Sequence, residues 1–282
     1  MLKEHLYGQE IAQSIIISSL RGHINSAEPP KALTLSFHGP PGTGKTYVAQ
    51  MIAKSLYKKG TESRFYHFFN GRSDFPLEKE VETYKAQLRD TITNSLTDCE
   101  TSMFVFDEVD KIPEGLLNVL VPFLDYNTWH KPWKYSNKVM DSKKAIYIFL
   151  SNTGSTQIVQ RLLSLWQEGK QRHATKLQDF EHLISIGAFN ENGGFYRSDT
   201  IETNLIDHYV PFLPLEERHV KKCSEKAFQN RGVMPTKDMT DEVMSHVTFG
   251  PSPHNLYSIA GCKRLEQKVA AIIYSHRKGT EL

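Results

Sequence analysis

The chain has 282 residues, of which 23% are charged and 39% apolar, and its formal net charge is +2. This length suits one large domain plus a small one, and the composition is that of a soluble globular protein. So small a charge gives no electrostatic reason to expect nucleic acid or a membrane surface, and no apolar run reaches the length of a bilayer span. Met1 leads straight into domain sequence, with no signal-peptide pattern. Three cysteines, Cys99, Cys223 and Cys262, argue against a disulfide framework but allow one bridge. The twelve histidines show no metal-ligand spacing.

In chain order, residues 9–24 read as an amphipathic helix with Ile11, Ile15, Ile16 and Leu20 on one side. The preceding Leu6-Tyr7-Gly8-Gln9 either closes over a base or simply enters the helix. An apolar run, Leu33 to Phe37, then leads into Gly39-Pro40-Pro41-Gly42-Thr43-Gly44-Lys45-Thr46, followed by a helical pattern with Val48, Met51, Ile52 and Leu56. Strand, glycine loop and helix are the context of G-x-x-x-x-G-K-[ST], the phosphate-binding loop. Gly42 and Gly44 permit the tight turn that aims backbone N–H groups at phosphate oxygens, and the helix adds its positive end. Lys45 is expected to neutralise the β- and γ-phosphates of ATP, and the Thr46 hydroxyl to ligate magnesium. The candidate nucleotide-binding set is Tyr7, Gly39, Pro40, Pro41, Gly42, Thr43, Gly44, Lys45, Thr46 and Tyr47.

Phe65 to Phe69 is a short aromatic strand candidate, and residues 78–96 read as a helix with Val81, Tyr84 and Leu88. Ser102 to Glu108 reads as a buried parallel strand with two acids at its C-terminal end, where open α/β sheets bind ligands. Asp107 is therefore placed to hold Mg²⁺, directly or through water, and Glu108 to polarise the attacking water. Pro113 opens another helical pattern through Val121, and residues 125–143, with Trp129 and Trp133, suit an extended hairpin. Ala145 to Leu150 is a fourth strand. Asn152 just beyond it can bond the γ-phosphate or its water, or can cap the next helix, which carries Ile158, Leu162 and Trp166. Residues 176–188 and 199–207 read as helical, and Tyr209 to Leu213 as a strand whose Pro211 suits a sheet edge. From Leu215 the pattern is helical over 215–231, 239–247 and 255–276. The alternation predicts an α/β fold, a mostly parallel five-stranded sheet flanked by helices over 1–214, with a small helical lid over 215–282.

Taken together, Gly39–Thr46, Phe104–Glu108, Asn152 and the helical tail resemble an AAA+ P-loop ATPase of the Clp-type branch. Within that branch the torsin family is the nearest resemblance. Phe106-Asp107-Glu108-Val109-Asp110-Lys111, Pro122-Phe123-Leu124-Asp125, Ser164-Leu165-Trp166, Gly169-Lys170-Gln171-Arg172, Val210 to Leu215 and Gly261-Cys262-Lys263 all look torsin-like. The resemblance implies that Glu108, Asn152 as sensor 1 and Lys263 as sensor 2 are the catalytic residues. Thr46 and Asp107 would hold Mg²⁺, and Cys223 and Cys262 would form a redox-linked pair, with Cys99 free. It also implies residence in the endoplasmic reticulum lumen and perinuclear space, and activation by a membrane-anchored partner with a lumenal AAA-like domain. A homo-oligomer is compatible with it; no nucleic acid partner is expected.

There are departures from the family pattern. Thr46 stands where torsins usually carry Asn, the Pro40-Pro41 pair is unusual, and no N-x-[ST] sequon occurs. Clp-type ATPases place Asn-Arg-Ile-Asp before the fifth strand, and that Arg enters a neighbour's site. Here the same place reads Asn204-Leu205-Ile206-Asp207. The expected function is thus an ATP-dependent, chaperone-like remodelling activity that is slow without an activator. The alternatives are an autonomous Clp-type unfoldase and a nucleotide-gated binding module. The loop Asn70 to Phe75 lacks the Gly-aromatic-Val-Gly motif of threading machines, and intact Glu108 and Asn152 argue against a dead enzyme.

Overall fold

The computed structural model describes residues 2–126, 141–190, 193–196 and 204–279. Five parallel strands form the central sheet: β1 (Leu33–His38), β2 (Tyr66–Asn70), β3 (Met103–Asp107), β4 (Ile146–Ser151) and β5 (His208–Pro211), in the order β2-β3-β4-β1-β5. The register sets His38 beside Ser151 and Phe106 beside Phe149. β4 therefore lies between β1 and β3, and the three C-terminal ends come together. Pro211 falls in β5, an edge strand, where its missing N–H costs no ladder bond on the open side.

Both faces of the sheet are covered, and the strand residues divide between them with period two. On one face Leu35, Phe37, Val105, Ile148 and Leu150 pack with Ala12 and Ile16 of α1 (Glu10–Ile24) and Val48, Ala49 and Ile52 of α2 (Lys45–Leu56). On the other, Leu88, Ile92 and Leu96 of α3 (Val81–Asp98) meet Phe104, Phe106, Tyr147 and Phe149. The aromatic rings continue from strand to strand: Phe104 to Tyr147 at 5.0 Å, Phe106 to Phe149 at 5.4 Å and Phe69 to Phe106 at 5.1 Å between centroids.

α4 (Ser155–Gln167) and α5 (Glu181–Asn190) follow β4, and their buried Ile158, Leu162, Leu165 and Ile184 form a satellite core with Leu213 and with Phe180, just before α5. The C-terminal part has a core of its own. Val220 and Phe228 of α6 (Glu217–Gln229), Met239 and Val243 of α7 (Lys237–Ser245), and Leu265, Val269, Ile272 and Ile273 of α8 (Leu265–Gly279) pack together.

Four local expectations are corrected. The pattern after Pro113 folds as 3₁₀ turns over Leu116–Leu120, packed against α3, and a single α turn over Val121–Leu124. Trp166 is not on the packed side of α4; it is 46% exposed and meets the His254 ring edge-on. Residues 204–207 are not helical, because Asn204 takes a φ of 53° and the backbone of Asp207 is already bonded to Thr34 of β1. The last helix begins only at Leu265, after a short antiparallel pair, β6 (Phe249–Gly250) and β7 (Tyr257–Ser258). The expected hairpin around Trp129 and Trp133 and residues 199–203 of the expected helix lie outside the described residues.

Candidate functional site

The glycine loop leaves the end of β1 and enters α2. The first α-helical bond runs from Val48 N–H to Gly44 O, so the N–H groups of the turn before it are left for another acceptor. Lys45 follows the left-handed Gly44, and its ammonium is folded back under the loop. Nζ donates to Gly39 O at 2.5 Å, Pro40 O at 3.0 Å and Asn152 Oδ1 at 3.1 Å. Burial pulls its pKa down to about 8, against the pull of Asp107 and Asp110, and the Lys263 charge lowers it further.

The Thr46 hydroxyl donates to Asp107 Oδ2 at 3.0 Å. Asp107 Oδ1 accepts the Glu108 N–H at 2.7 Å. Burial raises the Asp107 pKa, opposed by these two bonds and by Lys45. The two oxygens fit a magnesium ion: adjacent ligands of an octahedron with 2.0–2.1 Å bonds stand about 2.9 Å apart. Both are hard oxygen donors, as Mg²⁺ prefers. Glu108 adopts a φ of 51°, and its Oε2 accepts Arg72 Nε at 2.9 Å. Arg72 follows β2; its ion pair with Glu108 is a contact that sequence spacing gave no reason to expect.

The structure bears on two readings that the sequence leaves open. Asn152 does not cap α4, whose N-cap is Gly154 without a side-chain bond; its amide oxygen faces Lys45 instead. Tyr7 does not belong to α1. It lines the same cavity as Tyr47, with Lys222 Nζ 5.9 Å from its ring centre. Burial raises the Tyr7 pKa, with Tyr47 and Glu225 adding to the rise.

That cavity, of about 480 Å³, lies between the loop and the C-terminal helices. Its walls include Pro41 to Tyr47, Asp107, Glu108, Asn152 and Lys263, with Leu6, Leu215, Ala227 and Leu265 forming an apolar end. Gly39 and Pro40 underlie it, through their carbonyl bonds to Lys45. Cys223 and Cys262 are joined by a disulfide with Cα atoms 6.2 Å apart, and both line the cavity; Cys99 is a half-buried free thiol. Arrangements of this kind suit a nucleoside triphosphate: cations and N–H groups for phosphates, an oxygen pair for a divalent cation, and an apolar slot for a base.

Two buried polar side chains hold the parts together and carry no motif of their own. Gln9 donates to Thr43 O at 3.2 Å and Leu213 O at 2.8 Å, and accepts the Leu213 N–H at 2.8 Å. Arg172 donates to Gly8 O at 2.5 Å and to Pro214 O at 2.8 Å, and pairs with Glu216 at 3.4 Å. Their signal in the sequence is weak, because each partner is far away along the chain.

The family profile described as "Torsin" matches residues 1–106, and that described as "Torsin-1A, C-terminal domain" matches residues 215–271. A "Torsin-like protein" of Drosophila melanogaster is 39% identical over 279 residues, spanning 97% of this chain and 80% of that protein. The chain belongs to the torsin family. A "Torsin-like protein" of Caenorhabditis elegans is 35% identical over 267 residues, 93% of this chain and 73% of that protein. The fold of this torsin is that of AAA+ proteins. The S. cerevisiae Hsp104–ADP complex superposes with a TM-score of 0.63 at 18% identity, over 98% of the torsin chain and 47% of the Hsp104 chain. Closed-state Hsp104 with ATPγS and FITC-casein gives 0.60 at 17% identity, over 97% and 45%.

Proposed function

We propose that the chain binds and hydrolyses Mg²⁺-ATP in the cavity between the glycine loop and the C-terminal helices. Turnover drives a chaperone-like remodelling of a partner or client protein. The observation that carries the reading is the convergence on Lys45. Its Nζ bonds Asn152 Oδ1 at 3.1 Å, and the Thr46–Asp107 oxygen pair stands 3.0 Å apart beside it. In this mechanism the loop N–H groups and Lys45 hold the phosphates, Thr46 and Asp107 hold Mg²⁺, and Glu108 orients and polarises water. Asn152 positions the γ-phosphate or that water, and Lys263 brings a cation from the lid. Bound Mg²⁺ would supply charge neutralisation on the β- and γ-oxygens.

The proposed activity is slow in the isolated chain. An arginine finger accelerates transfer by roughly 10³–10⁵ where GTPases have been measured, and position 205 carries Leu. A membrane-anchored activator with a lumenal AAA-like domain is proposed to supply the arginine, in the endoplasmic reticulum lumen or perinuclear space. Family membership supports this location; among the described residues no helix is long and apolar enough to cross a membrane. The test is steady-state turnover against the protein's own concentration, then with a candidate activator domain. A steep rise to ordinary enzyme rates without partner would overturn the activator model, and failure to bind ATP would overturn the whole reading.

A further inference from the structure

His38 ends β1, one residue before Gly39, and its ring has no exposure to solvent. Nε2 lies 2.7 Å from Ser36 Oγ. Nδ1 lies 3.2 Å from the Thr153 carbonyl oxygen and 3.2 Å from the Thr153 hydroxyl. A carbonyl only accepts, so Nδ1 must carry the proton, and Nε2 then accepts the Ser36 hydroxyl. The neutral Nδ1–H tautomer is the one that satisfies both ends. Burial favours the same neutral form, holding the pKa down at about 4. The rings of Tyr209 and Phe195, 5.9 and 6.4 Å away, flank the imidazole.

Thr153 immediately follows Asn152. Its N–H and hydroxyl are both engaged by Ser151 Oγ, at 3.0 and 2.9 Å. The Asn152 N–H has only a long bond, 3.4 Å, to Asp110 Oδ1. The Asn152 carbonyl accepts the Ser155 N–H at 3.2 Å and the Ser155 hydroxyl, so the turn that carries the Asn152 side chain is tied at Ser155 and, one peptide on at the Thr153 carbonyl, at His38, the group that reaches it from β1.

We propose that His38 is a positioning residue for the nucleotide site: its Nδ1–H bond to the Thr153 carbonyl sets where the Asn152 amide stands relative to Lys45 and a terminal phosphate. This rests on the reading of the cavity as an ATP site. ADP lacks the terminal phosphate, so the His38 contact matters for ATP and not for ADP. An ordinary core histidine would affect both nucleotides alike, through stability.

The test compares ADP and ATPγS affinity in the full chain for the wild type and for His38→Asn, His38→Gln and His38→Phe, with thermal melts alongside. The Asn amide N–H stands near the place of Nδ1, the Gln amide near that of Nε2, and Phe keeps the ring with neither. Gln and Phe are expected to weaken ATPγS binding by about tenfold, the scale of one hydrogen bond. ADP binding should stay within about twofold, and Asn should recover most of the loss. Parallel loss of both nucleotides, no loss at all, or Gln recovering as well as Asn would each overturn the proposal. If the variants fail to fold, imidazole ¹⁵N shifts of the wild type decide: a neutral Nδ1–H ring near pH 7 is expected, and an Nε2–H or charged ring overturns it. A wild-type chain that binds neither nucleotide removes the ATP reading itself, and the proposal falls with it.

Discussion

The N–H of Cys262 donates to the carbonyl of Gly42 at 3.0 Å, so the lid is bonded directly to the phosphate-binding loop. Approach this close requires glycine on both sides. A Cβ on Gly42 would stand 2.1 Å from Ala260 O, and one on Gly261 would stand 2.4 Å from Gly42 O.

Gly261→Ala tests that contact without altering the loop. The left-handed φ of 52° costs little beside the clash, so the lid turn must back away from Gly42. Nucleotide affinity is expected to fall by at least about tenfold, since Lys263 moves with the turn. Calorimetric titration checks this; unchanged affinity would show that lid docking on the loop is irrelevant to binding.

Lys45→Ala and Glu108→Gln separate binding from chemistry. Losing the Lys45 ammonium removes charge-assisted bonds worth about 1.5–3 kcal/mol each, and ATP binding should be abolished. Glu108→Gln keeps the side-chain size but loses the basic carboxylate, so ATP should bind without turnover and the ATP-bound form should hold partners longer. Hydrolysis by this variant at the wild-type rate would mean that Glu108 has been misassigned.

Reduction of the Cys223–Cys262 bridge should loosen the lid. The sequence separation of 39 residues corresponds to about 4 kcal/mol of unfolded-state entropy. A thiol reductant is expected to lower the melting temperature and shift nucleotide affinity, because Cys262 carries the N–H bonded to Gly42. Cys223→Ser should show the reduced behaviour with or without reductant. A variant that still responds to reductant would locate the effect elsewhere.

Leu205→Arg should not create a self-sufficient enzyme. Leu205 is 3% exposed, and its carbonyl accepts the Lys31 ammonium at 3.2 Å and the Thr34 hydroxyl at 2.5 Å. An arginine here enters the core beside an existing cation, and a buried unpaired charge is expected to cost more than about 3 kcal/mol. Melting curves and turnover against protein concentration check this. A stable variant with concentration-dependent turnover would show that position 205 can reach a neighbouring site after all.

Acid should destabilise the fold well above the carboxylate range. Burial lowers the pKa of His38 to about 4 and that of His219 to about 3; Lys45 reinforces the first, Asp110 opposes it, and Arg172, Arg218 and Lys222 reinforce the second. The unfolded imidazoles take up protons near pH 6.5, while the folded ones resist until about pH 4 and 3. The unfolded state therefore binds more protons in that window, and stability falls as pH drops through it. From His38 alone, roughly 2 kcal/mol should be lost between pH 7 and pH 5. Urea titrations at the two pH values measure it, and His38→Asn should flatten the slope. A wild-type stability that does not change over this range would contradict the buried neutral assignment.

Much of this molecule is legible in its residues. The spacing of Gly39 to Thr46, the acids closing Phe104 to Glu108 and the apolar run before Asn152 specify strand ends with the residue types proposed to hold phosphate and metal, because each depends on neighbours a few residues apart. Tertiary structure decided the rest. Placing β4 between β1 and β3 brings the Asn152 side chain to Lys45, where it does not cap the next helix. The alternation Thr34, Ser36, His38 has the period of a solvent-facing strand side, yet all three are buried. Their partners, Asp207 for Thr34 and Thr153 for His38, lie more than a hundred residues away. Gln9 and Arg172 became clamps, and residues 204–207 a non-helical approach to β5, for the same reason. Local periodicity records which side of an element is apolar. It does not record which distant polar group will satisfy a buried one, and at the His38 end of β1 that pairing determines how the site is held.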